Sequence, residues 1–478
     1  MTYSPSLILE GNIYNYFSIS IAVIQIRPLV YPSLSLFNHK SISTMEDVQA
    51  DRLVATKQFS PTIHPMFPSD RTSFIDHSVE KIEPVIIYPE PGDLNSGGPI
   101  TFMIHESSGF FIDLSSLQLE VKLEMQKADG AVVAGGDKAY FSNNLLSLLF
   151  PIRKVSINNQ NVETQYSGAY IARLKHLLES DENIVKSRGV TRGIFPLDAN
   201  KESSPLSAGI LAANATRQAW SKTTPIHLKG YLDLDICNVN KWLVDLCTVK
   251  IVLEPASDAL CINSDAIDEA YRKMIKSIKL HVCRVQPTPS GFLSVTKHIQ
   301  KNPCEYIFSR HIFHNEIVAS GQSSVTITRP FLNRIPHLIY IFMVKQSADR
   351  GVYNEDVGFF QHNNITNYRI MQDGKVLAEQ DLNAGQKYVN SFTESLIAHG
   401  NDDHFIPFDI YNKSGFLIAV RTNHSQAGEL SFEQKGNLNC HFRFANPLAE
   451  NTVMYLCGKV HSTFEITGDR ECVTNYSY

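Results

Sequence analysis

The stretch "LSSLQLEVKLEMQKADG", residues 114–130, decides the fold class. Leu117, Leu119, Val121, Leu123 and Met125 fall on one face and Gln118, Glu120, Lys122 and Glu124 on the other, a period of two that only an extended chain turns into a one-sided apolar surface. Asp129 and Gly130 then supply a turn. The segment reads as a half-buried antiparallel strand. The same alternation recurs in "IHLKGYLDLDI" (226–236), "VKIVL" (249–253), "SIKLHVCRV" (277–285), "SVTITR" (324–329), "YRIMQDGKVL" (368–377), "LNCHFRF" (438–444) and "VHSTFEI" (460–466). "HLIYIFMV" (337–344) is apolar throughout and is expected to be covered on both faces. Helical periodicity is thin; the best case is "AYIARLKHLLESDENIVK" (169–186), with Ile171, Leu174, Leu177 and Leu178 at helical spacing, lying between strands as an insertion.

A chain of 478 residues exceeds one hydrophobic core. Many strands joined by Gly, Pro and Asn turns imply an all-β protein of sandwiches or barrels and exclude a parallel α/β fold. The segment "VQPTPSGFLSVTKHIQKNPCEY" (285–306) carries three prolines and a glycine, which places a division at about residue 295. The net charge of −5, with acidic and basic residues interleaved, offers no basic stripe for a phosphate backbone, so direct sequence-specific nucleic-acid binding is not expected.

Eight cysteines (237, 247, 261, 283, 304, 440, 457, 472) never form a CxxC pair and read as structural thiols, favouring a reducing compartment. Sequons stand at Asn214, Asn364, Asn412, Asn423 and Asn475. The apolar run "FSISIAVIQI" (17–26) lacks a basic n-region and is half the length of a spanning helix, so the sequons read as chance matches and no membrane span is expected. Residues 1–44 read as a disordered or extraneous extension, with Met45 a plausible start.

Catalytic motifs are absent: no P-loop, nucleophile elbow, HExxH or dinucleotide fingerprint occurs. "HESSGFF" (105–111) imitates only the start of a zincin motif. His311 and His314 in "RHIFH", and Asp402, Asp403 and His404 in "NDDHF", could in principle hold a cation, but polar loops explain them more simply. Asp233 and Asp235 are expected on the outward face of a strand, and Trp220 and Trp242 as core or interface anchors. No catalytic, cofactor-binding or metal-binding residue is assigned, and the chain is not expected to be an enzyme.

"NNLLSLLFPIRKVSINNQNVE" (143–163) couples a greasy turn, Leu145, Leu146, Leu148, Leu149 and Phe150, to a strand ending in an Asn hairpin. Preceded by "GFFIDLSSLQLEVKLEMQKADG" and followed by "YSGAYIARLKHLLES", it resembles the N-terminal jelly roll of the major capsid proteins of Polinton/Maverick elements and adintovirus-like viruses. "IHLKGYLDLDICNVNKWLVDLCTVKIVLEPASDALCI" (226–262), "RIPHLIYIFMV" (334–344), "VGFFQHNNITNYRIMQDGKVL" (357–377) and "KGNLNCHFRFANPLAENTVMYLCGKVHSTFEI" (435–466) continue the resemblance over residues 75–470. Residues 1–44 match nothing in that family.

The resemblance implies two tandem eight-stranded antiparallel jelly rolls with short helical insertions. It divides the chain into an extension (1–74), a first jelly roll (75–295), a second (296–470) and a tail (471–478). It further implies a homotrimer forming a pseudo-hexagonal capsomer of a shell, a minor capsid or penton protein as partner, and a place in the virion capsid after assembly in the host cytoplasm or nucleus, without secretion through a signal peptide. A secreted or surface glycan-binding β-sandwich is the alternative, and a cupin-like enzyme would need clustered inward histidines.

Overall fold

The computed structural model describes residues 78–105, 107–179, 182–198, 200–201, 203–265, 271–382, 388–400, 406–422 and 434–476. The extension 1–74, the proposed start at Met45, Asn423, and the trio Asp402, Asp403 and His404 lie outside them.

Strands β1 (Val79–Ile87), β2 (Ile100–Ile104), β3 (Phe111–Lys127), β4 (Ala139–Phe141), β5 (Ile152–Ile157), β6 (Gln160–Gln165), β7 (Ile226–Tyr231), β8 (Val249–Glu254), β9 (Ile262–Ser264) and β10 (Tyr271–Pro287) come first. Then follow β11 (Cys304–Val318), β12 (Ser324–Thr328), β13 (Arg334–Ile335), β14 (Leu338–Lys345), β15 (Ile365–Gln372), β16 (Lys375–Asp381), β17 (Leu417–Arg421), β18 (Gln434–Lys435), β19 (Leu438–Phe444), β20 (Thr452–Ile466) and β21 (Cys472–Thr474). Apart from the short pairs β4–β9 and β13–β18, the first group forms sheets ordered β1-β10-β3-β7 and β2-β8-β5-β6, and the second forms β11-β20-β14-β17 and β12-β19-β15-β16, with β21 added beside β20.

Counted within each group, both halves have strand order 1-8-3-6 in one sheet and 2-7-4-5 in the other. Every paired strand is antiparallel. That order is two jelly rolls in tandem, each an eight-stranded double sheet of Greek keys. The fold is therefore all-β, with antiparallel barrels and helical insertions.

Alternation fixes which face goes inward. Leu117, Leu119, Val121, Leu123 and Met125 of β3 are all buried, and β3 and β10 keep register through Leu119↔Leu280 and Val121↔Ile278. A one-residue slip would expose the whole row. The greasy turn becomes a one-turn helix, Leu145–Leu148, and Leu145, Leu146, Leu148, Leu149 and Phe150 are all buried. Its carbonyls would end unpaired inside the barrel. Arg153 supplies the donors: Nε to Phe150 O and Nη2 to Ser147 O, each 2.9 Å. The Asn hairpin follows as expected, Asn158 and Asn159 both holding positive φ in the two-residue turn between β5 and β6.

Four local readings change. The helix expected over 169–186 is Gly168–Glu179. "YRIMQDGKVL" is a hairpin that turns at Asp373–Gly374, both at positive φ. β7 stops at Tyr231, and Asp235–Asn238 is a 3-10 turn, so the alternation of 226–236 outlasts the strand. The segment between the two groups contains a helix, Pro289–Lys301, in which Thr288 accepts from the Gly291 amide and Pro289 takes the first position, where a missing N–H costs nothing. Cys472–Thr474 pair with β20, and the Tyr476 ring that follows is buried, its hydroxyl donating to Val162 O at 2.7 Å.

Candidate functional site

The richest concentration of buried polar and aromatic groups is the seam where the two jelly rolls meet. Gly168 starts the helix Gly168–Glu179 so tightly against Pro151 O and Arg153 that a Cβ there would sit 3.1–3.2 Å from them. That close approach carries Tyr170 into the second barrel. Its ring lies 4.6 Å from Tyr455, 5.4 Å from Phe342 and 6.2 Å from Phe360, and its hydroxyl donates to Asp349 Oδ1 at 2.6 Å. Tyr455 donates to the same oxygen at 2.7 Å. Burial pushes both phenols well up, so both remain donors at any physiological pH.

β14 is buried along its whole length, as its unbroken apolar sequence implies. Phe342 looks toward Tyr170, and Tyr340 toward His399 of the helix Val389–His399, with its hydroxyl 2.8 Å from Nδ1.

A second cluster is polar. Glu163 of β6 accepts the backbone amides of Asp235 and Ile236, each at 2.8 Å, and the Gln165 amide at 2.6 Å. Asp235 accepts the His311 backbone N–H and lies 2.8 Å from His311 Nδ1, linking the first barrel to β11 of the second. Asp233 pairs with Arg192 and accepts the Ser147 hydroxyl at 2.7 Å. The expectation that Asp233 and Asp235 face solvent is therefore wrong: both are buried, Asp235 completely, because the chain turns after Tyr231 and the second barrel covers it.

Burial and the nearby Asp235 charge push the Glu163 carboxyl up to about 8. For Asp235, burial raises and His311 more than offsets it, so it is held low. A folded value above the ordinary one means that Glu163 contributes stability fully below its unfolded value and loses it as pH rises toward about 8. Glu163→Gln is expected to flatten the fall in urea midpoint between about pH 5 and about pH 8. An unchanged pH slope would refute the assignment.

Further ties cross the seam. Arg470 pairs with Asp245 at 2.5 Å, Tyr306 accepts from the Val244 amide and donates to Trp242 O, each 3.1 Å, and Lys241 donates to Glu305 O at 2.8 Å. A cleft of about 420 Å³ lies between the barrels, lined by Lys175, Tyr231 and Asp233 on one wall and Ser309, His311 and Lys459 on the other. Cys237 also lines it, but burial pushes its thiol far up, so it does not supply a thiolate.

The remaining sequence candidates separate. His311 and His314 stand on β11, not in a loop, and their odd spacing along a strand sends them to opposite faces: His311 to Asp235, His314 to 3.8 Å from Glu316. Among the described residues no three His, Cys, Asp or Glu side chains are placed to hold a metal ion, and no helix is long and apolar enough to cross a membrane. His105 is exposed and Glu106 lies outside the described residues. Trp220 packs edge-on against Phe195 at 5.0 Å, whereas Trp242 is 39% exposed. All eight cysteines are free. Asn214 is buried and bonds Lys201 O, so that sequon is closed in the folded chain.

The outer walls are mixed in character. The sheet containing β12 and β19 presents Thr326, His441, Arg443 and the Arg369–Glu379 pair, whereas β1 exposes Ile82 and Ile86, followed by the exposed Tyr88 just beyond its end.

No protein-family model matches the chain, and no curated protein does. Solved structures do. A chain of the Sputnik virophage is similar at TM-score 0.57 and 12% identity over 87% of this chain and 93% of that one. The Faustovirus major capsid protein is similar at 0.54 and 10% identity, over 87% and 98%. The mavirus major capsid protein is similar at 0.51 and 11% identity, over 93% and 97%. At such identities the likeness concerns the fold, and it spans both barrels.

Proposed function

We propose that this chain is a structural, non-enzymatic major capsid protein of a Polinton-like virus or endogenous element, three copies of which form a pseudo-hexagonal capsomer. The observation that carries the reading is the repetition of one strand order in two barrels that share a continuous core. Two similar barrels fixed side by side give one chain two near-equivalent outer walls, so three chains around an axis present six. The mavirus and Faustovirus proteins named above, both major capsid proteins, support it.

On this reading the barrels divide at about residue 295, within the helix Pro289–Lys301, and their outer walls rather than the seam cleft meet neighbouring copies. A minor capsid or penton protein would close the vertices, DNA would be met by other, basic proteins, and the assembled chain would reside in the virion after assembly in the host cytoplasm or nucleus. Contacts within the trimer should bury on the order of 2,000 Å² or more per interface, with smaller and more polar contacts between trimers.

Mass photometry of the purified full chain is expected to show a species near three times the 53.7 kDa chain mass. Negative-stain images should show hexagonal outlines or shells. A monomer that persists at micromolar concentration would defeat the proposal.

A further inference from the structure

On the seam-facing wall of the second barrel, two imidazoles stack with no carboxylate between them. The His337 and His461 rings lie 4.6 Å apart and 7° from parallel. His337 stands where three strands meet: its amide donates to Lys459 O at 3.0 Å on β20, and its carbonyl accepts the Thr422 amide at 3.1 Å, just beyond β17, while β14 begins at the next residue. His461 is on β20 opposite Ser309 of β11, and its neighbour on the same face, Lys459, is opposite His311. The stack therefore sits directly opposite Ser309 and one same-face pair along from His311, the two β11 residues that line the cleft facing the first barrel.

The charges around it are mostly of one sign. β20 contributes Lys459, β11 contributes His311, and β17 contributes Arg421, whose guanidinium is turned to Ala398 O. Across the cleft the first barrel presents Lys175, and its carboxylates Asp233 and Asp235 are engaged by Arg192 and His311. Burial first, then the neighbouring ring and these cations, lowers His337 to about 4, and burial with Lys459 lowers His461. Stacked neutral imidazoles attract; a proton on either ring places a cation against its partner and against Lys459.

We propose that the His337–His461 stack is an acid latch: it holds the β14–β17–β20 corner and the adjoining seam closed at neutral pH and loosens them when either ring gains a proton. As a control on shell opening this rests on the capsid reading; as a property of the isolated chain it does not. The sign follows from linkage. A histidine whose folded value is depressed takes up protons on unfolding, so its stabilisation is whole above about pH 6.5 and falls away as pH drops toward about 4.

Equilibrium urea unfolding of the full chain, followed by circular dichroism at pH 7.5 and pH 5, tests the latch. The wild type is expected to lose stability on acidification, and H337F/H461F, which keeps a flat aromatic pair and removes both titrations, should recover roughly tenfold of the lost folding equilibrium. H362F gauges the acid loss owed to a buried ring elsewhere in the second barrel, packed against Tyr388 and Phe416, and a recovery by H362F equal to that of H337F/H461F would also overturn the proposal. Should the double variant fail to fold, the imidazole proton resonances of the wild type decide: both rings titrating near the ordinary value of 6.5 would overturn the proposal. So would an acid loss in H337F/H461F equal to that of the wild type. Absence of shells by microscopy, with the pH behaviour intact, would remove the capsid reading and leave the latch standing.

Discussion

Tyr170→Ala is expected to destabilise the chain by about 3–5 kcal/mol, the range for deleting a large buried ring whose surroundings cannot close the space. Three aromatic partners from the second barrel surround this ring, and the cavity would open between two rigid walls, where relaxation is poor. Tyr170→Phe separates the contributions: it keeps the packing and removes one hydroxyl of the two that Asp349 accepts, a change of about 1 kcal/mol. Urea unfolding followed by circular dichroism measures both. If Tyr170→Ala costs no more than Tyr170→Phe, the aromatic cluster does not join the barrels.

Asp235→Ala should cost about 3–5 kcal/mol, because removal of one member of a buried, hydrogen-bonded pair leaves the other without compensation. Here it strands both the His311 ring and the His311 backbone N–H. It also relieves Glu163 of a like-charged neighbour, so the Glu163 carboxyl should ionise more readily in the variant. A double-mutant cycle with His311→Ala isolates the pair, with a coupling of about 0.5–3 kcal/mol expected for residues in direct contact. Strict additivity would mean that the two side chains do not act together across the seam.

Strand identity was largely legible because it is a local property: one-sided burial of β3, β8 and β19 leaves a period of two that needs no partner to be read. The unbroken apolar run of β14 likewise announced burial on both faces. The pairing order was not local. β3 lies between β10 and β7 because of contacts more than a hundred residues apart, which no window of alternation encodes, and jelly-roll topology entered the reading through resemblance.

The misreadings have the same origin. Asp233 and Asp235 continue the alternation of β7 past its end, but Asp233 is covered within the first barrel by Ser147 and Arg192, and Asp235 by His311 of the second barrel some 76 residues later. The helix Pro289–Lys301 did carry a local signal, Thr288 followed by Pro289, which the prolines and glycine around it made look like a plain linker. Nothing near His337 in sequence points to His461, since the stack is made by the sheet.

The buried outer face of β14 also bears on how the chain is made. Part of its cover, Tyr170, precedes it by well over a hundred residues and so leaves the ribosome first. N-terminal elements generally fold first during synthesis, and newly made greasy strands aggregate when left bare. A first barrel already in place therefore acts as an internal chaperone for the second, offering β14 a waiting surface at the moment it emerges.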